Sequence, residues 1–370
     1  MNEGLDVKGK KIATVVGARP QFIKAAAVSR AIRGAHTEVL IHTGQHYDPN
    51  MSDIFFSELH IPTPDYNLGI GSGTHGAQTG AMLAALEKVL ARERPDAVIV
   101  YGDTNSTLAA ALTAAKLRVP VAHIEAGLRS YDRRMPEEIN RVMTDHVSSW
   151  LFCPTETAVL NLKKEGIAEQ VFLVGDVMCD AVRFFGAQAE RYNSGTPLEF
   201  LYRPAQMPGR YYLATIHRAE NTDGEANLSQ ILTAFERLDH PVVFPVHPRT
   251  RALVDSLYRK NEFLNILFVQ PLGYPLMLHL ARGAVKVITD SGGLQKEAYM
   301  LRTPCVTVRG QTEWVETLRG GWNILAKPDA NDILRKATGT APDSASYRAY
   351  YGGGHAAEKI AGILAEDLTF

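Results

Sequence analysis

"DAVIVYGDTNSTLAAALTAAKLRVPVAHIEAG", Asp96 to Gly127, reads as strand, helix, strand. Its apolar runs, Ala97–Val100 and Val119–Ile124, are short and nearly unbroken, the pattern of strands buried on both faces. The stretch from Asn105 to Arg118 is long enough for a crossover helix. A strand–helix–strand unit of this kind belongs to a parallel sheet with helices on both faces.

Outward from that unit the same alternation continues. Upstream, "KIATVVG" and "EVLIHTG" read as strands, "PQFIKAAAVSRAIRG" as a helix closed by Gly34, and "AQTGAMLAALEKVLARER" as another helix. Downstream, "PEEINRVMTDHVSS" is a helix with Pro136 at its first position and Ile139, Val142, Met143 and Val147 at helical spacing. "WLFCPT" and "VFLVG" follow as strands. After Tyr192 an irregular segment rich in turn residues intervenes, and the alternation restarts at "YYLATIH" and runs to "PCVTVR". The expected fold class is α/β, with two Rossmann-like doubly wound domains facing a cleft: residues 1–180, then 181–353, with an amphipathic helix in 354–370 packing back on the first.

Bulk properties narrow the function. The chain has 370 residues, 45% of them hydrophobic, enough for two cores. A formal net charge of −1 offers no footprint for nucleic acid or a membrane surface. No apolar stretch approaches the ~20 residues of a membrane-spanning helix, and "MNEGLDVKGKK" lacks the apolar segment of a signal peptide. Cys153, Cys179 and Cys305 are far apart with no CxxC, so neither a disulfide framework nor a zinc site is expected, and the cytoplasm is the expected compartment. His42 and His46 have metal-like spacing, but a strand end with Gly44 between them does not present both to one ion, and no metal is expected.

Charged groups recur at the carboxyl ends of successive strands: Arg19 and Lys24, Asp103, Glu125, His217 and Arg218, His247, then Asp290 and Ser291. "HIEAGLRSYDRRMPEEINR", His123 to Arg141, adds four acids and four arginines at one such end. In open parallel sheets that edge is where ligands sit. Each residue has a plainer reading beside the functional one. In "ITDSGGLQKEA", Gly292 and Gly293 form a phosphate-binding nest at a helix start with Glu297 facing a ribose, or else Asp290 or Ser291 merely caps the helix. Arg19 and Lys24 at a helix N-terminus oppose the macrodipole, which favours a bound anion; Lys24 can also be a solvated lysine. Glu137 and Glu138 suit the dipole of a first turn, and Glu137 can pair with Arg141 at i,i+4. Asp103 can be an N-cap. Glu125, so close to a buried strand, needs a partner or a task. His217 is an acid, a phosphate donor or a loop histidine satisfied by backbone. "GSGTHG", Gly71–Gly76, fits G-x-G-x-x-G, but "PTPDYNLGI" before it is a poor strand and no acid ends a strand about 20 residues later, so it reads as a glycine-rich loop.

Together "GARPQFIK", "TGQHYD", "VYGDTNSTLA", "HIEAGLRS", "MPEEINR", "VGDVMCDA", "TIHRAEN", "PVHPRT" and "TDSGGLQKEA" resemble the non-hydrolysing UDP-N-acetylglucosamine 2-epimerase family, from about Lys11 to the end. The resemblance implies a fold like that of GT-B glycosyltransferases, a homodimer, and inversion at C2 of a UDP-linked 2-acetamido sugar without NAD or metal. It implies UDP elimination to a 2-acetamidoglucal and re-addition, with the product destined for a surface polysaccharide such as lipopolysaccharide. It assigns Asp103, Glu125 and Glu137 to acid–base work, Arg19, Lys24 and His217 to the diphosphate and sugar, and Ser291, Gly292, Gly293, Glu297 and His247 to UDP, with Arg141 orienting sugar or carboxylate. "SYDRRM" between "EAGLR" and "PEE" departs from the best-known branch. It looks closer to the branch acting on UDP-2,3-diacetamido-2,3-dideoxy-glucuronate, whose anionic sugar Arg133 and Arg134 would meet. A GT-B glycosyltransferase and a hydrolysing epimerase that releases free sugar are the alternatives.

Overall fold

The structure, a computed structural model, describes residues 9–45, 62–189 and 198–368. The chain divides into two units, residues 1–183 with 350–370, and residues 184–349, against sequence-expected boundaries after residues 180 and 353. Each unit is an open parallel sheet flanked by helices.

Unit 1 contains β1 (Lys11–Val16), α1 (Arg19–Arg33), β2 (Thr37–His42), β3 (Tyr66–Asn67), α2 (His75–Glu93), β4 (Ala97–Tyr101), α3 (Asn105–Lys116), β5 (Val121–Ile124), α4 (Pro136–Val147), β6 (Trp150–Cys153), α5 (Glu156–Lys164), β7 (Val171–Leu173) and the start of α6 (Val177–Ala189). Its 7-stranded sheet has the order β3-β2-β1-β4-β5-β6-β7, so the winding reverses between β1 and β4. Every strand pair is parallel. The strand residues Val15, Ile41, Val98 and Val100 pack on Met82, Leu86 and Leu90 of α2 and on the alanines of α3. Alanine after alanine on α3 lets that helix lie close to the sheet. The short β3 forms within "PTPDYNLGI", where the sequence suggested no strand; it pairs only through Tyr66 and Asn67 with β2.

Unit 2 contains β8 (Tyr212–Thr215), α7 (Ala219–Thr222), α8 (Glu225–Glu236), β9 (Val242–Pro245), α9 (Pro248–Lys260), β10 (Ile266–Val269), α10 (Tyr274–Gly283), β11 (Val287–Thr289), α11 (Gly292–Met300), β12 (Cys305–Thr307), β13 (Asn323–Leu325) and α12 (Ala330–Ala337). The 6-stranded order β10-β9-β8-β11-β12-β13 reverses between β8 and β11. The chain ends in α13 (Ala356–Asp367), which belongs to unit 1 and packs on α1. Asp180 accepts from the N–H groups of Ala356 and Ala357 at 3.1 and 3.0 Å, satisfying the start of that helix, and Asp367 near its end accepts from Trp150 Nε1 at 2.6 Å.

Candidate active site

In unit 1 the charged side chains gather where the winding reverses. Gln21 bridges the two diverging strands: its Oε1 accepts from the N–H groups of Gly17 and Ala18 at 2.8 and 3.0 Å, and its Nε2 donates to the Tyr101 carbonyl at 2.7 Å. That bridge fixes the start of α1 and, with it, Lys24. The Lys24 ammonium donates to Glu125, and both side chains are largely buried, at 12% and 4% exposure. Glu125 therefore has the partner that a carboxylate beside a buried strand requires. It adopts a left-handed backbone with φ +69°, a strained choice for a residue with a side chain. Gly102, also at positive φ (+63°), faces this pair: a Cβ there would lie 3.1 Å from Glu125 Oε2 and 3.7 Å from Lys24 Nζ.

Asp103 follows Gly102 and accepts from Arg141, whose second nitrogen donates to Glu138 at 2.9 Å. Thr104 rather than Asp103 caps α3, accepting from Thr107 N–H at 3.2 Å, so the Asp103 carboxylate is not spent on the helix. Asp103 keeps 32% of its side-chain surface accessible. Even so, burial pushes its carboxyl above the ordinary value, against the opposing pull of Arg141 and Lys24, with Glu125 adding to the rise. Burial works against the charge of Arg141, yet Asp103 and Glu138 hold its guanidinium above the usual value.

Adjacent acids on α4 have separate surroundings. Glu137 is exposed on the first turn, and Arg141 turns to Asp103 and Glu138 instead of the i,i+4 partner that spacing permitted. Glu138 is buried and accepts from Ser130 N–H (2.8 Å), Ser130 Oγ (3.0 Å) and Tyr131 N–H (2.9 Å). Burial alone would raise its carboxyl, but these backbone donors and Arg141 hold it below the ordinary value. Nothing in "PEE" distinguishes the two acids in sequence; only the fold assigns one to the helix interior. Arg134 is committed to Asp132 through two 2.8 Å contacts, while Arg133 is exposed. Arg19 begins α1, and its side chain lies outside the described atoms, as does His46. Among the described residues no cluster of three or more His, Cys, Asp or Glu side chains could hold a metal ion.

Unit 2 builds its own edge, again at its reversal. Asp290 is fully buried and accepts from the N–H groups of His217 and Arg218 at 3.0 and 2.9 Å and from Asn221 Nδ2 at 3.0 Å. It therefore holds the turn after β8 and does not cap α11. Ser291 is the cap, accepting from Leu294 N–H at 3.3 Å. Gly292 and Gly293 take the helical backbone of a first turn, not the alternating hand of a nest, so of the two readings of "DSGG" the capped helix start is the one observed. Gly292 lies close to two charged side chains: a Cβ there would lie 2.8 Å from Glu313 Oε1 and 3.6 Å from Arg218 Nη2. The rings of His217 and His247 stack with centroids 5.1 Å apart, and His247 Nδ1 caps α9 by accepting from Arg249 N–H at 3.1 Å. Glu297 is buried one turn into α11. Glu313 was not singled out by sequence, because a loop residue gives no spacing signal of what it faces, whereas Arg218 and Asp290 were marked by their place at strand ends.

Two doubly wound units, each with charged groups at the reversal of its own sheet and one of them carrying paired acids, have the architecture of α/β enzymes of the GT-B-like class. The family model described as UDP-N-acetylglucosamine 2-epimerase matches residues 30–365, and the chain belongs to that family. It is 52% identical over 357 residues to a UDP-N-acetylglucosamine 2-epimerase homolog of Methanococcus maripaludis, covering 96% of this chain and 99% of that one. It is 50% identical over 365 residues to the UDP-2,3-diacetamido-2,3-dideoxy-D-glucuronate 2-epimerase of Pseudomonas aeruginosa, covering 96% and 99%. Among solved structures it resembles the Methanocaldococcus jannaschii UDP-GlcNAc 2-epimerase in complex with UDP-GlcNAc and UDP, with a TM-score of 0.85, 42% identity, and coverage of 96% and 99%.

Proposed function

We propose that this chain is an isomerase that inverts C2 of a UDP-linked 2-acetamido sugar by eliminating UDP and adding it back. The carrying observation is the ionic cluster of Lys24, Glu125, Asp103 and Arg141 at the reversal of unit 1, with the Asp103 carboxyl shifted upward. The C2 hydrogen is not acidic by itself. A carboxylate takes it as the C1–oxygen bond breaks, the electron pair leaves with UDP, and a C1–C2 double bond remains. The return step delivers a proton to the opposite face of C2 while a phosphate oxygen rejoins C1. Two faces require more than one acid, which Asp103, Glu125 and the exposed Glu137 supply, with His217 assisting proton transfer. A carboxyl raised above its ordinary value by burial, as at Asp103, suits a group that must both take and give a proton. The departing diphosphate needs positive surroundings. Arg19, Lys24 and Arg141 serve it and the sugar, and Ser291, Gly292, Gly293, Glu297 and His247 hold the UDP moiety at the start of α11.

The substrate we favour is UDP-2,3-diacetamido-2,3-dideoxy-glucuronate. The Pseudomonas relative and an exposed Arg133, four residues before Glu137 in the sequence, support it. Ile139 and Met143, 49% and 44% exposed on α4, support a homodimer through helices of unit 1. Three cysteines without a disulfide support a cytoplasmic enzyme. Turnover on the two UDP-sugars side by side in deuterated solvent tests the reading. Deuterium at C2 of an intact, inverted UDP-sugar is expected. Retention of the C2 hydrogen points to glycosyl transfer, and release of free sugar points to hydrolysis; either outcome refutes the proposal.

A further inference from the structure

His123 is fully buried in β5, behind the acids, and both its ring nitrogens meet oxygen acceptors. Nδ1 lies 2.7 Å from Asp145 Oδ1, and Nε2 lies 2.8 Å from the Gly102 carbonyl. A backbone carbonyl can only accept, and a carboxylate held by a cation is acceptor-only as well, so both nitrogens donate. The carboxylate is held in this way: Asp145 Oδ2 accepts from Arg129 Nη1 at 2.7 Å and from Gly127 N–H at 3.1 Å, and Arg129 grips Glu165 through two further 2.7 Å bonds. The cluster thus reaches forward at two points. Through His123 it fixes the Gly102 carbonyl, which belongs to the peptide plane preceding Asp103. Through Asp145 it fixes the N–H of Gly127, two residues past Glu125. The carbonyl on the far side of Asp103 is held by Asn140 Nδ2 at 2.9 Å.

We propose that His123 is a positioning residue for the epimerase reaction: the buried His123–Asp145–Arg129 cluster sets the orientation of Asp103 and Glu125 toward each other and toward C2. This rests on the activity proposed above. Glu125 itself is left-handed, at φ +69°, which a residue with a side chain holds only when its surroundings over-determine it, and Gly102, at +63°, gives the turn before Asp103 a backbone open to glycine. The donor toward Gly102 is the one that acts on Asp103. The amide nitrogen of glutamine reaches the place of Nε2, and that of asparagine the place of Nδ1. His123→Gln therefore keeps the grip on Gly102, and His123→Asn keeps only the contact with Asp145.

Both variants are compared with wild type by crystallography, by proton–nitrogen NMR of histidine-labelled protein and by steady-state kinetics. Wild type is expected to show two slowly exchanging ring N–H signals that vanish in either variant. His123→Asn is expected to turn the Gly102–Asp103 peptide and to lose about 100-fold in kcat with KM changed less than about threefold. His123→Gln is expected to keep the peptide orientation and most of kcat. A single ring N–H in wild type, an unmoved Asp103 in His123→Asn, or equal losses in both variants overturns the proposal. Wild type that turns over neither UDP-sugar refutes the activity instead, while the NMR and crystallographic outcomes still decide the role of His123. If His123→Asn does not fold, the ring signals in wild type and the peptide orientation in His123→Gln carry the decision.

Discussion

Glu137 and Glu138 are neighbours in sequence, yet the fold gives them opposite duties. Glu138 is enclosed by two backbone N–H groups, a hydroxyl and Arg141. Removing its charge leaves those donors short of an acceptor, which costs roughly 2 kcal/mol. Glu138→Gln is therefore expected to lower the thermal midpoint by several degrees, whereas Glu137→Gln is expected to leave it unchanged and to cut kcat; calorimetry and kinetics on the pair check this. The pH dependence has a definite sign. Glu138 and Asp145 are both held below the ordinary carboxylate value, so their stabilisation is present above the unfolded-state value and is lost as pH falls through their folded values. Stability of unit 1 should drop between about pH 5 and the strongly acid range, and Glu138→Gln should flatten that drop in an acid-unfolding series. Asp103 lies on the other side: its carboxyl is raised, chiefly by burial, so it adds no such acid-side stabilisation. Asp103→Asn is expected to lose about 100-fold or more in kcat and to stop deuterium entry at C2, with circular dichroism unchanged.

What delivers these residues is a set of strand-to-helix turns whose geometry admits little substitution. Gly102→Ala must place a methyl at positive φ and within 3.1 Å of Glu125 Oε2. It is expected to destabilise by about 1–2 kcal/mol, read as a shifted denaturation midpoint, and to reduce kcat by displacing the Lys24–Glu125 pair. Ser291→Ala removes a cap worth about 1 kcal/mol and should weaken UDP binding measured by titration calorimetry. Such turns also decide what sequence could foretell. Apolar runs such as Val98–Val100 and Val242–Val246 marked the strands because burial on both faces leaves them unbroken. Pro136 marked the start of α4 because it has no N–H to satisfy. Glu125 was legible as a candidate because a carboxylate beside a buried strand is costly without a reason, and Lys24 because a cation at a helix start opposes the dipole, whereas Asp103 and Arg141 had plainer local readings and stood out through the family motifs. The direction a side chain takes was not legible. Asp290 and Ser291 were equal candidates for the cap, and the fold turns Asp290 inward to hold the His217 turn while Ser291 caps. The His123–Asp145 contact joins residues 22 apart in sequence and has no local spacing to betray it.

The chain leaves unit 1 after Arg183 and returns at Tyr350, so the C-terminal helix completes a unit whose other strands were made much earlier. This arrangement places α13 against the helix that carries Lys24, one member of the ionic cluster. Ala356, Ala357, Ile360 and Leu364 of α13 are buried, the helix packs on α1, and α1 bears Lys24. Losing α13 would expose that apolar face of α1, free the buried Asp180 carboxylate from its two backbone donors, and remove the Asp367 acceptor of Trp150. Burying residues of this size stabilises by roughly 1.5–3 kcal/mol each for the two aliphatic ones, a large part of ordinary domain stability. Unit 2 has its own sheet and its own core around Leu232, Phe235, Phe244 and Phe268. Truncation after Gly354 should therefore act on one unit. Scanning calorimetry should show one transition moved down by ten degrees or more and one nearly unmoved. UDP titrated into the truncated protein should still release heat at unit 2, while turnover should be lost because Lys24 no longer meets Glu125. If both transitions fell together, or if turnover survived with α13 gone, the dependence of the acid–base cluster on the C-terminal helix would be refuted.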